Sequence, residues 1–323
     1  MNRYETTVSS EDINTSHAIE LRLIGRDKKV LDIGCSSGFL ADALVKQGCT
    51  VSGVEYDPET AEIARPKLEK LVVADITTQG IADLFPEEVF DVIVFGDILE
   101  HTPDPARVLQ SSLDCLAEDG HIVISVPNVA HGALRLSLLT GQWTYTDTGL
   151  LDHTHLHFFT WASLAQMLTS LGLVIDDAVA KILDPMQTEV SLDVDPLPVE
   201  MVEWVRDQPH SLSYQFIVRV HPGDTGTNST CVPSPAVPWD NIRLTDIFTS
   251  RLNNAREQER QLKSDLASAT TKLEWQDHEA RALANEISLL RQSHSYRLGH
   301  LILTPVRLLH RLPHLIRGFR QKG

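Results

Sequence analysis

From Lys28 to about Val126, short runs of β-branched and aliphatic residues alternate with stretches whose apolar positions recur at helical spacing. The runs are KVLDIG, TVSGVE, LVVAD, FDVIVF and HIVISV, and the stretches between them include FLADALVKQG and PETAEIARPKLEK. Nearly continuous apolar runs of this length suit strands buried on both faces, and the intervening periodicity suits amphipathic helices. Strands and helices in alternation with short connections predict a doubly wound α/β fold, a mostly parallel sheet covered by helices on either side. A sixth run, GLVIDDAVAKI from Gly172, and a seventh, SYQFIVRV over Ser213 to Val220, are separated by an insert rich in proline and acid. The seventh is expected at the edge of the sheet.

After Val220 the sequence HPGDTGTNSTCVPSPAVP reads as a linker. From Trp239 to Leu298 there is neither proline nor glycine, and apolar residues fall on a 4-3 spacing: Phe248, Leu252, Ala255, Leu262, Leu266, Ala269, Leu273, Ala280, Leu283, Ile287 and Leu290. Of 14 seam positions 11 are apolar, the exceptions being Glu259, Gln276 and His294. This narrow stripe predicts a coiled coil, and with it a homo-oligomer. A helix folded back on the first domain is the alternative, and it would carry a wider stripe. Beyond Glu286 there is no acid but seven cations, Arg291, Arg297, Arg307, Arg311, Arg317, Arg320 and Lys322. Leucines and isoleucines mark an apolar face through this tail, interrupted by Pro305 and Pro313. Such a segment is expected to touch an anionic membrane surface peripherally, the alternative being an apolar face packed on a partner copy with solvated arginines. The expected divisions are an N-terminal segment at 1–24, a catalytic domain at 25–220, a linker at 221–240, a coiled coil at 241–296 and a basic tail at 297–323.

Length and charge sharpen this picture. A chain of 323 residues has room for about two domains of ~150 residues. Its net charge of −16 repels phosphate backbones and argues against nucleic acid as a partner of the whole chain. Cys35, Cys49, Cys115 and Cys231 lie far apart with no C-x-x-C pair, as suits a reducing compartment. The polar start MNRYETTVSSED and the lack of any long uncharged apolar stretch predict a cytoplasmic protein with neither signal peptide nor membrane span.

The chemistry concentrates at strand ends. In VLDIGCSSG, Asp32, Gly34 and Gly38 surround the turn from the first strand into a helix, where glycine lets backbone approach a ligand and the helix N-terminus offers free N–H groups. A dinucleotide fingerprint would need glycine where Ser36 and Phe39 stand, so a nicotinamide-dependent oxidoreductase is disfavoured. Glu55 ends the second strand, where a carboxylate can accept from both hydroxyls of a ribose, and Asp75 ends the third. Any one of these acids could be a strand-end cap; the three together suit a ligand bearing an amino group, a ribose and an adenine amine.

Taken in order, VLDIGCSSGFLADAL, VSGVEYDPETAEIA, VVADI, FDVIVFGDILEH and LAEDGHIVISVPN resemble the motifs of class I S-adenosylmethionine-dependent methyltransferases, over about residues 25–220. The resemblance implies a seven-stranded sheet with a reversed last strand, and S-adenosylmethionine as cofactor. It implies that Asp32, Gly34 and Gly38 line the methionine and ribose end, that Glu55 holds the ribose hydroxyls, that Asp75 and Ile76 meet the adenine, and that Asp97 lies beside the methionine. Ser36 departs from the family's usual glycine.

GDILEHTPDP also resembles the subgroup of ubiquinone-pathway O-methyltransferases, whose E-x-x-E-H pattern holds magnesium. Here the set is Asp97, Glu100 and His101; aspartate is the shorter acid and magnesium prefers a largely aqueous oxygen shell, so no metal is expected. His101 is instead expected to face the acceptor pocket or to cap a turn. LDHTHLHFFT is similar to a run in methyltransferases of bacterial envelope-sugar clusters. If extended, it would put His153, His155 and His157 on one side, whereas a turn at Thr154 would separate them. His155 is the candidate to stand near the acceptor. The resemblance implies methyl transfer to oxygen or nitrogen of a small molecule, a sugar or a lipid-linked glycan, with cell-envelope polysaccharide biosynthesis as its setting. A scaffold that keeps the fold without catalysis is the rival.

Overall fold

The computed structural model describes residues 13–226, 231–238, 247–295 and 297–299. The chain divides into two compact units, Met1–Phe248 and Thr249–Gly323. In the first unit the order is α1 (Ser16–Ile24), β1 (Lys29–Ile33), α2 (Phe39–Lys46), β2 (Thr50–Glu55), α3 (Pro58–Ala64), β3 (Lys70–Val73), α4 (Ile81–Leu84) and β4 (Phe90–Gly96). It continues with α5 (Pro105–Gln110), β5 (Leu116–Pro127), α6 (Gly132–Leu139), α7 (Trp161–Ser170), β6 (Leu173–Ile182), α8 (Val199–Arg206), β7 (Ser213–Pro222) and β8 (Ser234–Pro235). The second unit holds all but the first two residues of α9 (Ile247–Gln292). The basic tail expected over 297–323 falls outside the described residues except at 297–299. Among the described residues no helix is long and apolar enough to cross a membrane.

The strands form one sheet in the order β3-β2-β1-β4-β5-β7-β6-β8. The five from β3 to β5 run parallel, and β7 is antiparallel to both its neighbours, β5 and β6. β7 is therefore interior, not the edge strand its late position suggested. Its residues Phe216, Ile217 and Val218 are wholly buried, and such an uninterrupted apolar triplet belongs to a strand covered on both faces. The sheet has eight strands rather than seven because Ser234 and Pro235, in the segment read as a linker, pair with Val179 and Ala180 at the far edge.

Side chains alternate across the sheet into two cores. On one face Leu31, Ile33, Ile93, Phe95, Ile122, Ile124, Phe216 and Val218 pack with α5 and α7. On the other Val30, Val92, Val94, Val123 and Ile217 pack with α1 and α2 through Ile19, Leu23, Leu40 and Leu44. α1, placed by the sequence in a separate N-terminal segment, thus covers the sheet, and its N-terminus is capped by the Thr15 side chain accepting from Ala18 N.

Because Phe216 is fully buried on an interior strand, Phe216→Ala is expected to cost about 3–5 kcal/mol. Urea denaturation of the full chain checks this; a loss below about 1 kcal/mol, the scale of an exposed site, would contradict the interior placement.

Candidate active site

In a parallel sheet all strands end on one side, and the connections leaving those ends enclose a crevice. Here β1, β2, β3 and β4 open on a cleft of about 1000 Å³. Gly34 and Ser36 after β1, Glu55 after β2, Asp75 and Ile76 after β3, and Gly96 and Asp97 after β4 line it. His17 of α1 joins them, as do His101, Asp152 and His155 from the later connections and Tyr214 from β7.

The turn after β1 is built on left-handed backbone. Gly34 has φ +73°, and a Cβ there would run into Ile98. Ser36 holds φ +47°, a conformation that favours glycine, and its N–H donates to Glu55 Oε2 at 2.8 Å. Glu55 Oε1 accepts from Asp57 N at 3.0 Å, so each carboxylate oxygen keeps a lone pair for a ligand. Asp75 Oδ1 accepts from the N–H and hydroxyl of Thr77, at 2.9 and 2.6 Å. Gly38 and Asp32 do not line the cleft. Gly38 caps α2 and packs against Ala64, and Asp32 is buried behind the turn.

At the floor of the cleft and behind it lies a group of acids. Asp97, with φ +54°, receives hydrogen bonds from Ser125 Oγ at 3.1 Å and from Gln215 Nε2. Glu20 of α1, 2% exposed, is hydrogen-bonded to Ser125, and burial with the Asp97 charge pushes its carboxyl up to about 8. Burial and Glu55 push Asp32 up to about 7. Glu100 is raised well above the carboxylate range by burial and Asp97, and its Oε2 has no hydrogen-bond partner. Burial raises the pKa of Glu20, Asp32 and Glu100, and a cation placed beside them would be favoured because it stabilises their ionised forms.

Opposite them, the segment after α6 folds over the cleft. Leu156 N and His157 N both donate to Glu100 O, at 2.8 and 3.0 Å, which pins it down. A turn at Thr154 separates the three histidines. His155 turns inward to meet His101 edge to face at 4.8 Å, while His157 Nε2 sits 2.9 Å from Pro103 O and His153 is exposed. His101 Nδ1 lies 3.0 Å from Thr154 Oγ1 and 3.3 Å from Thr154 O, and Thr154 Oγ1 donates to Asp152 Oδ1 at 2.7 Å. Burial and His101 lower the pKa of His155, which favours its neutral form. Glu189 ties this wall together, accepting from Leu150 N at 2.6 Å and from the Tyr214 hydroxyl at 2.8 Å.

Residues 15–178 match the family described as a methyltransferase domain. A protein of Xylella fastidiosa named ubiquinone biosynthesis O-methyltransferase is 30% identical over 167 residues, 51% of this chain and 68% of its own. Proteins of the same name from Xanthomonas axonopodis pv. citri and Aeromonas salmonicida are 27% and 28% identical, over 54% and 56% of this chain and 74% and 77% of theirs. The chain belongs to the class I S-adenosylmethionine-dependent methyltransferases. Its cofactor, S-adenosylmethionine, carries a sulfonium and an ammonium, and the buried acids suit such a ligand.

The cleft of this methyltransferase brings together Gly34, Glu55, Asp75, Ile76, Asp97, His101 and His155, all candidates from the sequence. His17 and Glu20 were missed because α1 precedes the first strand; the apolar spacing in SHAIELRLI, directly before β1, was the available signal. The magnesium pattern of the resembling subgroup is not reproduced. Among the described residues, the donor atoms that converge within 4.8 Å of one another belong to Glu100, His101 and His155, and Asp97 is not one of them. Two imidazoles and one carboxylate do not fit the oxygen shell that magnesium takes.

The Glu20 carboxyl holds its proton more tightly in the fold, at about 8 against an ordinary 4.5. Its contribution to stability is therefore full at low pH and lost as pH rises between those values. Glu20→Gln, which mimics the neutral carboxyl without titrating, is expected to flatten the fall in thermal midpoint over that range. Melting curves from about pH 4.5 to 8 check it; parallel curves for the two proteins would refute it.

Proposed function

We propose that this methyltransferase acts on a hydroxyl oxygen of a small cyclic acceptor, a phenol or a sugar, and that His101 takes the hydroxyl proton. The observation that carries this reading is the hydrogen-bonded chain from Asp152 through Thr154 to His101, which lines the cleft. Thr154 Oγ1 gives its one proton to Asp152, so its contact with His101 Nδ1 requires the imidazole to donate. The nearby Thr154 carbonyl, which can only accept, asks for the same tautomer. Nδ1 therefore carries the hydrogen, and Nε2 keeps a lone pair with which to act as a general base. Asp152, buried behind Thr154, stabilises the imidazolium that results.

When bound, S-adenosylmethionine supplies an electrophilic methyl on a positively charged sulfur. Glu55 would hold the ribose hydroxyls with its spare lone pairs, Asp75 and Ile76 would flank the adenine, and Asp97 with its buried neighbours would face the methionine end. A cleft of about 1000 Å³ leaves space for a modest acceptor beside such a cofactor. The names of the relatives support oxygen as the methylated atom. Next to the cleft, Phe158 stands 6.2 Å from His155 and Trp143 5.9 Å from Phe158, ring surfaces that suit a flat acceptor. The likeness of LDHTHLHFFT to envelope-sugar enzymes supports a glycan hydroxyl within this class.

Two substitutions separate binding from chemistry. Glu55→Ala is expected to weaken S-adenosylmethionine binding by about 1.5–3 kcal/mol for each ribose hydrogen bond lost. His101→Gln should leave that affinity intact and slow methyl transfer about 100-fold or more. Calorimetry with S-adenosylmethionine and transfer assays with phenol, monosaccharide and amine acceptors check both. Unchanged affinity in the first variant would refute the ribose role of Glu55, and unchanged turnover in the second, or transfer to amines alone, would refute the oxygen-acceptor reading.

A further inference from the structure

The helix α9 runs unbroken for 46 residues, and no other described element of its unit covers its apolar stripe. Leu262, Leu266, Leu273, Leu283, Ile287 and Leu290 are each between 50% and 69% exposed. They follow the 4-3 spacing, with Leu266, Leu273, Ala280 and Ile287 on one row of the seam and Leu262, Ala269, Gln276, Leu283 and Leu290 on the other. A strip this narrow is too thin to seat the helix on a globular surface and suits one helix of like shape.

We propose that α9 is the dimerisation element of this methyltransferase, pairing with a second copy of itself in parallel and in register. The charged residues flanking the seam choose the occupant and its direction. In a parallel pair, Lys272 faces Asp277 of the second copy and Glu286 faces its Arg291, each twice by symmetry, and within residues 257–292 the like charges that meet are the two copies of Glu259 at the start of the seam. A fully overlapping antiparallel pair instead sets Asp265 against the other copy's Glu286. Gln276 adds a second constraint. Only the in-register parallel pair places this amide opposite its own counterpart, where the two can hydrogen-bond; any shift buries it against leucine or alanine without a partner. Glu259, the charged seam residue near the start, is offset by Lys263 at 2.6 Å on its own helix.

Light scattering on the full chain tests the assembly, with an expected mass of two copies of 36.0 kDa. Leu273→Asp is expected to give a monomer that still binds S-adenosylmethionine. Lys272→Glu should weaken dimerisation about tenfold, and adding Asp277→Lys should restore it. Leu283→Cys, on the seam, should form a disulfide between copies under mild oxidation, whereas Ser264→Cys, on the outer face, should not. A mass of one or three copies, a dimer untouched by Leu273→Asp, or a failure of Leu283→Cys to cross-link would overturn the proposal.

Discussion

Parallel strands β3, β2, β1, β4 and β5 present apolar side chains on both faces, and neither face can be left to water. Every connection between them must therefore cross the sheet as helical cover, and every strand must end at the same side. That single requirement gathers Gly34, Glu55, Asp75 and Asp97, spread over more than sixty residues of sequence, along one rim. The antiparallel β7, slotted between β5 and β6, lengthens the rim and carries Tyr214 and Gln215 into the cleft.

The chemistry of the rim follows from how dry it is. Ser125 and Gln215 hold Asp97 by hydrogen bonds, while Glu20, Asp32 and Glu100 are buried from water, a cost that the Lys181 charge near Glu20 offsets only in part. Their carboxyls are pushed toward neutrality, so the fold carries an unfavourable charge balance that a positively charged ligand corrects. Stability and cofactor preference thus meet in the same side chains. Across the cleft the arrangement is of another kind: Asp152, Thr154 and His101 are engaged with one another, and these contacts select the tautomer of the imidazole proposed above as the base.

The two units answer different physical demands. In the first, hydrophobic residues are consumed within the chain. In the second, a long helix leaves Leu262, Leu266, Leu273, Leu283 and Leu290 exposed. A helix with so slight an apolar face gains little by packing on anything broad, which is the physical ground for the pairing proposed above.

The periodicity of the sequence was enough to determine the alternating strands and helices, the parallel sheet, the turn after β1 and the acids at the ends of β2 and β3, because each is a local pattern repeated with short connections. The seam of α9 was equally visible, its spacing being a property of one helix. Tertiary structure alone decided that β7 lies inside the sheet, since two strands distant in sequence compete for the place beside β5 and only the pairing of β7 with both β5 and β6 settles it. It alone decided that α1 brings His17 to the cleft and Glu20 behind it, that Asp32 lies buried behind the turn, and that Gly38 packs against Ala64 instead of lining the cleft. It likewise turned His155 toward His101 through the bend at Thr154, 54 residues away along the chain from its partner. Spacing fixes which face of an element a residue occupies, but which faces meet depends on the whole sheet being covered at once.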